Sequence, residues 1–152
     1  IDVVGRPWVD QELMCAAAFQ GNVVCMNVQN GRLVWNAKVD AVTGPVADGR
    51  LVYEVDDASR IHAFNRQNGR EAWVNESFLY RSASAPIRVG TSLAFGDYEG
   101  NITFLDPATG TPVARTKLSG AVTTPAAQYG YGAVFQTVEG DVAYVVEGAD
   151  SE

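Results

Sequence analysis

Hydrophobic residues in this chain occur in short runs, each closed by glycine, proline or aspartate. The segment 79–118 shows the pattern clearly, because it divides into four such runs separated by turn-forming residues. Short apolar runs between turn signals are typical of β-strands. No segment keeps an apolar stripe at helical spacing for the length of a helix. The pattern therefore predicts an all-β protein.

One sequence pattern returns at a spacing near forty residues. Copies begin at residues 21, 59 and 100, and a shorter copy begins at Gly140. A β-rich repeat of this length is typical of a propeller blade, which is a four-stranded antiparallel sheet. We therefore predict a partial β-propeller of four blades over 1–147. The predicted blades are 1–39, 40–78, 79–118 and 119–147, the last with room for three strands, and 148–152 is predicted to be a flexible tail.

Aligned positions of the third strand in each repeat indicate what covers the blades. Both faces of this strand are largely apolar, so each is expected to be covered, and in a propeller the neighbouring blades provide that cover. Trp35 and Trp73 occupy equivalent positions and are expected to pack between blades. The two aligned columns of one face are Val23, Ile61, Ile102 and Val142, followed by Cys25, Ala63, Phe104 and Tyr144.

The two cysteines flank a predicted turn at Gln20-Gly21. A two-residue turn there would place Cys15 opposite Met26, so the two sulfurs would lie on opposite faces of the sheet. A disulfide requires Cβ atoms that converge. We therefore predict that both cysteines are buried free thiols that pack as small hydrophobic residues.

The chain carries a net charge of −7. Proteins that bind nucleic acid usually carry a basic stripe, whereas the basic residues here are scattered. Nucleic acid and anionic lipid are therefore poor candidate partners, and a basic or mixed protein surface is favoured. No apolar run approaches the roughly 18 residues of a membrane span.

Residues that could support catalysis or metal binding are few. Glu54, Asp56 and Asp57 form the densest acidic group, and we interpret it as a solvated turn rather than a calcium site. A contribution to an acidic partner surface is the alternative. His62, the only histidine, falls in an inter-blade column and is expected to be a packed residue rather than a general base. We predict no catalytic residue, no metal site and no cofactor.

The turns of the repeat resemble those of PQQ-like β-propellers, in which an indole lies between adjacent blades. Two copies of the motif are complete, and the third has alanine in place of tryptophan. The three copies are Asn27-x-x-Asn30-Gly31-x-x-x-Trp35, Asn65-x-x-Asn68-Gly69-x-x-x-Trp73 and Asp106-x-x-Thr109-Gly110 followed by Ala114.

Longer stretches, such as SAPIRVGTSLAFGDYEGNITFLDPATG, resemble the C-terminal half of the BamB family of outer-membrane β-barrel assembly lipoproteins. The resemblance covers residues 1–147. It implies half of an eight-bladed ring, held at the periplasmic face of the outer membrane by a lipid anchor outside this chain. It also implies a non-catalytic scaffold of the barrel assembly machinery that binds the POTRA repeats of BamA.

The acidic contact loop of that family is matched only in part. Asp2 matches its first acid, whereas Val4 stands where the family has a second. Asp2 and the acidic group Glu54, Asp56 and Asp57 are therefore the predicted partner-binding residues.

Other interpretations stay open. The enzymatic alternative is a fragment of a PQQ-dependent (quinoprotein) dehydrogenase, and a third hypothesis is a self-contained four-bladed propeller with a small ligand in its channel. A half ring would leave two apolar blade faces bare, which soluble monomers rarely tolerate. We therefore expect that two copies associate, or that a missing half has been lost.

Overall fold

A computed structural model describes residues 2–19 and 21–148 of the chain. These residues form fifteen β-strands in four antiparallel sheets, and the strand order in each sheet follows the sequence. Within these two ranges, no helix has the length and apolar character that crossing a bilayer requires. Apart from Gly148, the predicted tail at 148–152 lies outside the described residues.

The four sheets are the blades of a propeller, and the predicted fold class is confirmed. Blade 1 contains β1 (Val3–Val9), β2 (Leu13–Ala18), β3 (Asn22–Asn27) and β4 (Leu33–Lys38). Blade 2 contains β5 (Val46–Ala47), β6 (Leu51–Val55), β7 (Ile61–Asn65) and β8 (Glu71–Asn75). Blade 3 contains β9 (Ile87–Val89), β10 (Ser92–Gly96), β11 (Asn101–Leu105) and β12 (Pro112–Lys117). Blade 4 contains β13 (Ala127–Tyr129), β14 (Gly132–Gln136) and β15 (Val142–Val145).

The first strands of the blades converge on a central cavity of about 390 Å³, to which all four blades contribute. A proline precedes the first strand in three blades, at Pro45, Pro86 and Pro125. Proline has no backbone N–H to donate, so it suits the start of a strand better than its interior. These prolines therefore help to fix where each blade begins.

The hydrophobic core lies between the blades. One buried cluster joins blades 1 and 2, a second joins blades 2 and 3, and a third joins blades 3 and 4. The aligned columns enter these clusters: Val23, Ile61 and Ile102 are all fully buried. Each blade is therefore stabilised mainly by the apolar surface that its neighbours remove from water.

Trp35 and Trp73 pack between blades, as predicted. The indole N–H of Trp35 donates to the carbonyl of Arg66 at 2.7 Å, and that of Trp73 donates to Pro107 at 3.0 Å. Each ring lies against a glycine of the next blade, Gly69 or Gly110, where a Cβ would come within 2.6 Å or 2.5 Å of the ring. Both glycines also have positive φ, so both the backbone and the packing favour glycine there.

The interface between blades 3 and 4 has no docked indole. Ala114 holds the position of the tryptophan, and a cavity of about 760 Å³ lies beside it, between β12 and β15. Phe104, Val145 and Glu147 line this cavity as well. The blades are joined there by their apolar strand faces and by hydrogen bonds from Thr91 and Ser92 of blade 3 to the carboxylate of Glu147.

The prediction of free thiols is wrong, because Cys15 and Cys25 form a disulfide. Strand β2 ends at Ala18 and β3 begins at Asn22, so three residues connect them rather than the expected two. This difference shifts the register and places Cys15 directly opposite Cys25, with 4.2 Å between their Cα atoms. A shift of one residue moves a side chain to the other face of a strand, and both sulfurs consequently lie on the same side.

Candidate partner-binding surface

The turns that join the second and third strands of the blades lie at one end of the propeller. Successive strands run in opposite directions, so the connections from one blade to the next lie at that same end. We call this end the hairpin face and define it by the residues at the tips of the four hairpins. These residues are Phe19, Asp57, Tyr98 and Val138, and each is exposed.

Three of the four tips present an exposed hydrophobic side chain. Phe19 and Tyr98 are each 49% exposed, and Val138 is 61% exposed. Single exposed hydrophobic residues are common on soluble proteins, but here they recur at one position of the repeat. The hairpin face therefore combines apolar tips with acidic turn residues such as Glu99 and Asp141.

Three of the four hairpins, those of blades 2, 3 and 4, hold their tips in place through a recurring hydrogen bond. In each case a side-chain oxygen accepts the backbone N–H of the residue four positions later. The residue three positions after the acceptor residue has positive φ, which tightens the turn. The three bonds are Asp56 with Arg60 at 2.9 Å, Asp97 with Asn101 at 3.0 Å, and Thr137 with Asp141 at 3.1 Å.

The hairpin of blade 2 is further braced by an ion pair between Asp56 and Arg60 and by hydrogen bonds of His62. Oδ2 of Asp56 lies 2.6 Å from Nε of Arg60 and 3.0 Å from Nε2 of His62. The other ring nitrogen of His62 lies 2.9 Å from Glu71. Burial by itself would raise the pKa of Asp56, but the hydrogen bonds from His62 and Arg60 outweigh it and lower that pKa. Asp56 is therefore held ionised inside the blade.

The hairpin of blade 3 is built around Arg81. Its guanidinium pairs with Asp97 at 2.9 Å and also with Glu99, and it lies over the ring of Tyr98 at 5.9 Å. Burial opposes ionisation of Asp97, yet hydrogen bonds from Asn101 and Arg81 lower its pKa overall. Arg81 thus orders the exposed tyrosine at the tip of this hairpin.

The predicted partner-binding residues divide into two pairs. Asp2 and Asp57 are exposed on the hairpin face, and the carbonyl of Asp2 accepts the N–H of Phe19 at 2.8 Å. Glu54 and Asp56 are 0% and 1% exposed. The interpretation of the acidic group as a solvated turn is therefore wrong for these two residues. Glu54 belongs to β6 and points between blades. The carboxylate oxygens of Asp56 accept hydrogen bonds from residues of its own hairpin.

Glu54 is a buried carboxyl with incomplete hydrogen bonding. Its Oε1 accepts from Oγ1 of Thr43 at 2.6 Å and from the N–H of Val55 at 3.0 Å. Its Oε2 has no hydrogen-bond partner among the described residues. Desolvation by burial raises its pKa to about 8, although the bonds from Thr43 and Val55 oppose the shift. Glu54 is therefore protonated at neutral pH and lies away from the surface.

A groove of about 400 Å³ opens on the hairpin face beside Asp57. Three lining residues other than glycine have positive φ, namely Ser59, Tyr80 and Ser82. Within the described ranges these are the only non-glycine residues in that conformation. Strained backbone is enriched at binding sites, and Tyr80 is highly exposed. The repeat pattern did not reveal this groove, because tyrosine and serine give no sequence signal of positive φ.

Metal-ion ligands are not clustered in the described part of the chain. It contains no group of three or more His, Cys, Asp or Glu residues placed to hold a metal ion. The two ring nitrogens of His62 form hydrogen bonds with Asp56 and Glu71, in a network that braces the turn. Asp56, His62 and Asp97 therefore brace the hairpins, which hold the exposed tips of this face in place.

Comparison with known proteins identifies the relatives of this chain. The family model described as outer membrane protein assembly factor BamB matches residues 1–75. The outer membrane protein assembly factor BamB of Bordetella pertussis is 35% identical over 146 residues, which make up 95% of this chain and 38% of that protein. The chain thus spans well under half the length of this relative.

Solved structures agree on the fold. The crystal structure of BamB from Moraxella catarrhalis matches with a TM-score of 0.87 at 24% identity, over 92% of this chain and 42% of that one. A quinohemoprotein alcohol dehydrogenase from Pseudomonas putida matches with a TM-score of 0.64 at 20% identity, over 75% of this chain and 20% of that one. At these identities, both matches show a shared fold and nothing more about chemistry.

Proposed function

Because this chain belongs to the BamB family of outer membrane protein assembly factors, we propose that it is a non-catalytic binding module of the barrel assembly machinery. Its partner in this proposal is the POTRA region of BamA, and its task is to assist the insertion of outer-membrane proteins. The observation that carries the proposal is the identity of 35% to the Bordetella pertussis protein over nearly the whole chain.

The proposed location is the periplasmic face of the outer membrane. The disulfide between Cys15 and Cys25 supports this location. Disulfides persist in oxidising compartments such as the bacterial periplasm and are rare in the cytosol. The bond is also buried, which favours a structural role over a catalytic one.

The hairpin face is the proposed contact surface. Its apolar tips at Phe19, Tyr98 and Val138 are presented by hydrogen-bonded turns on a rigid scaffold. Aromatic side chains that reach into a partner dominate the energy of many protein interfaces. Asp2 and Asp57 lie on the same face, and they would attract a basic partner surface and speed its association.

The absence of catalysis is part of the same proposal. The buried carboxylates of Asp56 and Asp97 are occupied by hydrogen bonds within their own hairpins. The fold likeness to the quinohemoprotein alcohol dehydrogenase does not outweigh this, because one propeller fold carries many functions.

The test is a calorimetric titration of the purified BamA POTRA region into the longest natural form of the protein. We expect the double substitution Phe19→Ala and Tyr98→Ala to weaken binding at least about tenfold, as loss of interface anchors does. The matched control is Tyr131→Ala, an exposed tyrosine at the opposite end of blade 4. An unchanged affinity for the double variant, or an equal loss for the control, would refute the hairpin face as the contact.

The contribution of Asp2 and Asp57 is tested by the rate of association with the partner rather than by the affinity. Asp2→Asn together with Asp57→Asn should slow association and reduce its dependence on salt, with little change in dissociation. No measurable binding by the unaltered protein would overturn the proposed partner itself.

A further inference from the structure

A pocket of about 480 Å³ opens between blades 2 and 3, at the end of the propeller opposite the hairpin face. Both blades have a described neighbour on either side, because apolar clusters join them to blades 1 and 4 as well as to each other. Small-molecule sites are typically clefts of this size, with mostly apolar walls and a few polar groups. Here the apolar walls include Leu51, Ala72 and Pro107, and the polar side chains include Asp48, Tyr53 and Arg88.

Tyr53 departs from the repeat. Its phenol lies fully buried beside the pocket, where the equivalent positions of the other blades carry smaller side chains. Departures from a local pattern are expected mainly where function requires them. The strand register aligns Tyr53 with Cys15, Ala94 and Val134.

Arg88 is a second departure from the repeat. It lies on β9, the innermost strand of blade 3, and 28% of its side chain is exposed. No other blade has a charged residue at the equivalent position of its first strand. The strand register aligns Arg88 with Val9, Ala47 and Gln128.

Asp48 is already satisfied by its own turn. Its Oδ1 accepts the N–H groups of Arg50 and Leu51 at 2.8 and 2.9 Å, and its Oδ2 accepts the O–H of Tyr53 at 2.6 Å. Burial opposes ionisation of Asp48, but the hydrogen bonds from Tyr53 and Leu51 outweigh it and lower the pKa. Nη1 of Arg88 lies 3.5 Å from the same Oδ2 and has no hydrogen-bond partner among the described residues. The guanidinium of Arg88 is therefore close to a carboxylate that does not satisfy it.

The charges around the pocket favour an anionic ligand. Arg50 and Arg88 both line it, whereas Asp48 is the only acidic side chain there. The pocket is thus locally basic in a chain whose net charge is −7. A guanidinium matches the geometry of a carboxylate or phosphate group and binds it through parallel hydrogen bonds.

We propose that this pocket binds a small organic anion. Arg88 and Arg50 hold the carboxylate or phosphate group of the ligand, and its hydrocarbon part packs on the apolar walls formed by Leu51 and Pro107. The site is separate from the hairpin face and does not rest on the proposed partner. A cationic ligand would instead meet two guanidinium groups and a carboxylate whose oxygens are occupied.

The test is a heteronuclear NMR titration of the isotope-labelled protein with benzoate, which carries one carboxylate on an apolar ring. We expect saturable shifts of the backbone amides around Arg50 and Arg88 at millimolar benzoate. Benzamide, the uncharged analogue, should bind at least about fivefold more weakly, because it loses the charge-assisted contact. Phenyl phosphate is the third ligand, and whether it binds more tightly or more weakly than benzoate assigns the natural group as phosphate or carboxylate.

Substitutions connect the shifts to the two arginines. Arg88→Gln and, separately, Arg50→Gln should weaken benzoate binding at least about tenfold, as loss of a hydrogen bond to a charged group does. Arg50 is exposed, so its substitution tests the site even if Arg88→Gln disturbs the blades, which circular dichroism would reveal. Arg32→Gln is the matched control, an exposed arginine in a turn of blade 1, and it should leave binding unchanged.

Three results would overturn the proposal. The first is the absence of saturable shifts at the pocket with both benzoate and phenyl phosphate. The second is equal binding of benzamide and benzoate, because the charge would then be irrelevant. The third is an equal loss of affinity in Arg50→Gln and Arg32→Gln, which would indicate general electrostatic attraction rather than a defined site.

Discussion

Two of the three interfaces between neighbouring blades contain a docked indole, and the third does not. Trp35 and Trp73 each donate a hydrogen bond to the next blade and lie on one of its glycines. Ala114 makes no such contact, and a cavity of about 760 Å³ lies beside it. Two blades can therefore be joined without a docked indole, by apolar strand faces and hydrogen bonds such as those from Thr91 and Ser92 to Glu147, whereas an indole closes the outer edge of the other two interfaces.

The largest expected effect comes from removing an indole. Trp35→Ala should lower the free energy of unfolding by about 3 to 5 kcal/mol, because it leaves a cavity and an unpaired carbonyl at Arg66. Urea unfolding followed by circular dichroism measures the change. Val113→Ala is the control, since Val113 is exposed on β12. Equal losses for the two variants would show that the indole does not hold blades 1 and 2 together.

The disulfide strengthens the same interface from within blade 1. Cys25 pairs across the strands with Trp35 as well as with Cys15, so its loss should loosen the sheet that carries the indole. Replacing both cysteines with alanine should cost about 3 kcal/mol, as expected for a short closed loop. Unfolding is measured with and without a thiol reductant, and only the unaltered chain should respond. A chain that is indifferent to reductant would show that the bond adds nothing.

Glu54 makes the interface between blades 1 and 2 sensitive to pH. Its folded-state pKa is raised to about 8 by desolvation, so the favourable contribution of the protonated form is lost as pH rises from about 4.5 to about 8. Glu54→Gln should therefore flatten the pH dependence of the free energy of unfolding in this window. The free energy of unfolding is measured from acid to alkaline pH, on both sides of the ordinary carboxyl pKa.

The control for Glu54 is Glu99→Gln. Glu99 is exposed, and its pKa is lowered by hydrogen bonding to Arg81. A lowered pKa confers stability above the ordinary carboxyl pKa, and that stability is lost toward acid. The two variants should thus change stability in opposite pH ranges. A pH profile of Glu54→Gln that matches the profile of the unaltered chain would contradict the account of this carboxyl.

The smallest expected effect comes from adding an indole. Ala114→Trp should raise the free energy of unfolding by less than about 1 kcal/mol, although it fills part of the cavity. The gain is small because blade 4 has no fourth described strand to offer a glycine and an aligned carbonyl. A gain as large as the loss in Trp35→Ala, measured by the same urea unfolding, would mean that cavity filling alone explains docking.

The repeat made the fold predictable from the sequence. Its spacing, the prolines at Pro45, Pro86 and Pro125, and the two-sided apolar columns all follow from how blades cover one another. The register of a single hairpin did not follow. One additional turn residue between Ala18 and Asn22 changed two predicted thiols into a disulfide, and turn length is poorly encoded when a loop can hold two or three residues.

The candidate site was less predictable than the fold. The acidic group near the end of β6 contains side chains with opposite fates, since Glu54 points between blades and Asp57 into solvent. The alternation of side chains along a strand predicts which face of the sheet a residue lies on, but it does not predict whether solvent or another blade covers that face. The tips at Phe19, Tyr98 and Val138 share one column of the repeat, so an alignment of turns as well as strands could have found them.

The most direct test of the docking account compares two glycines with nearly the same φ. Gly69 has φ of 70° and lies under Trp35, whereas Gly31 has φ of 67° and no atom within 4 Å of where a Cβ would be. Gly31→Ala should lower the free energy of unfolding by only about 1 to 2 kcal/mol, because alanine must adopt a left-handed backbone conformation there. Gly69→Ala should lower the free energy of unfolding by about 1 to 3 kcal/mol more than Gly31→Ala, because its Cβ would overlap the indole of Trp35. Equal costs in urea unfolding would contradict the claim that an indole resting on a glycine holds adjacent blades together.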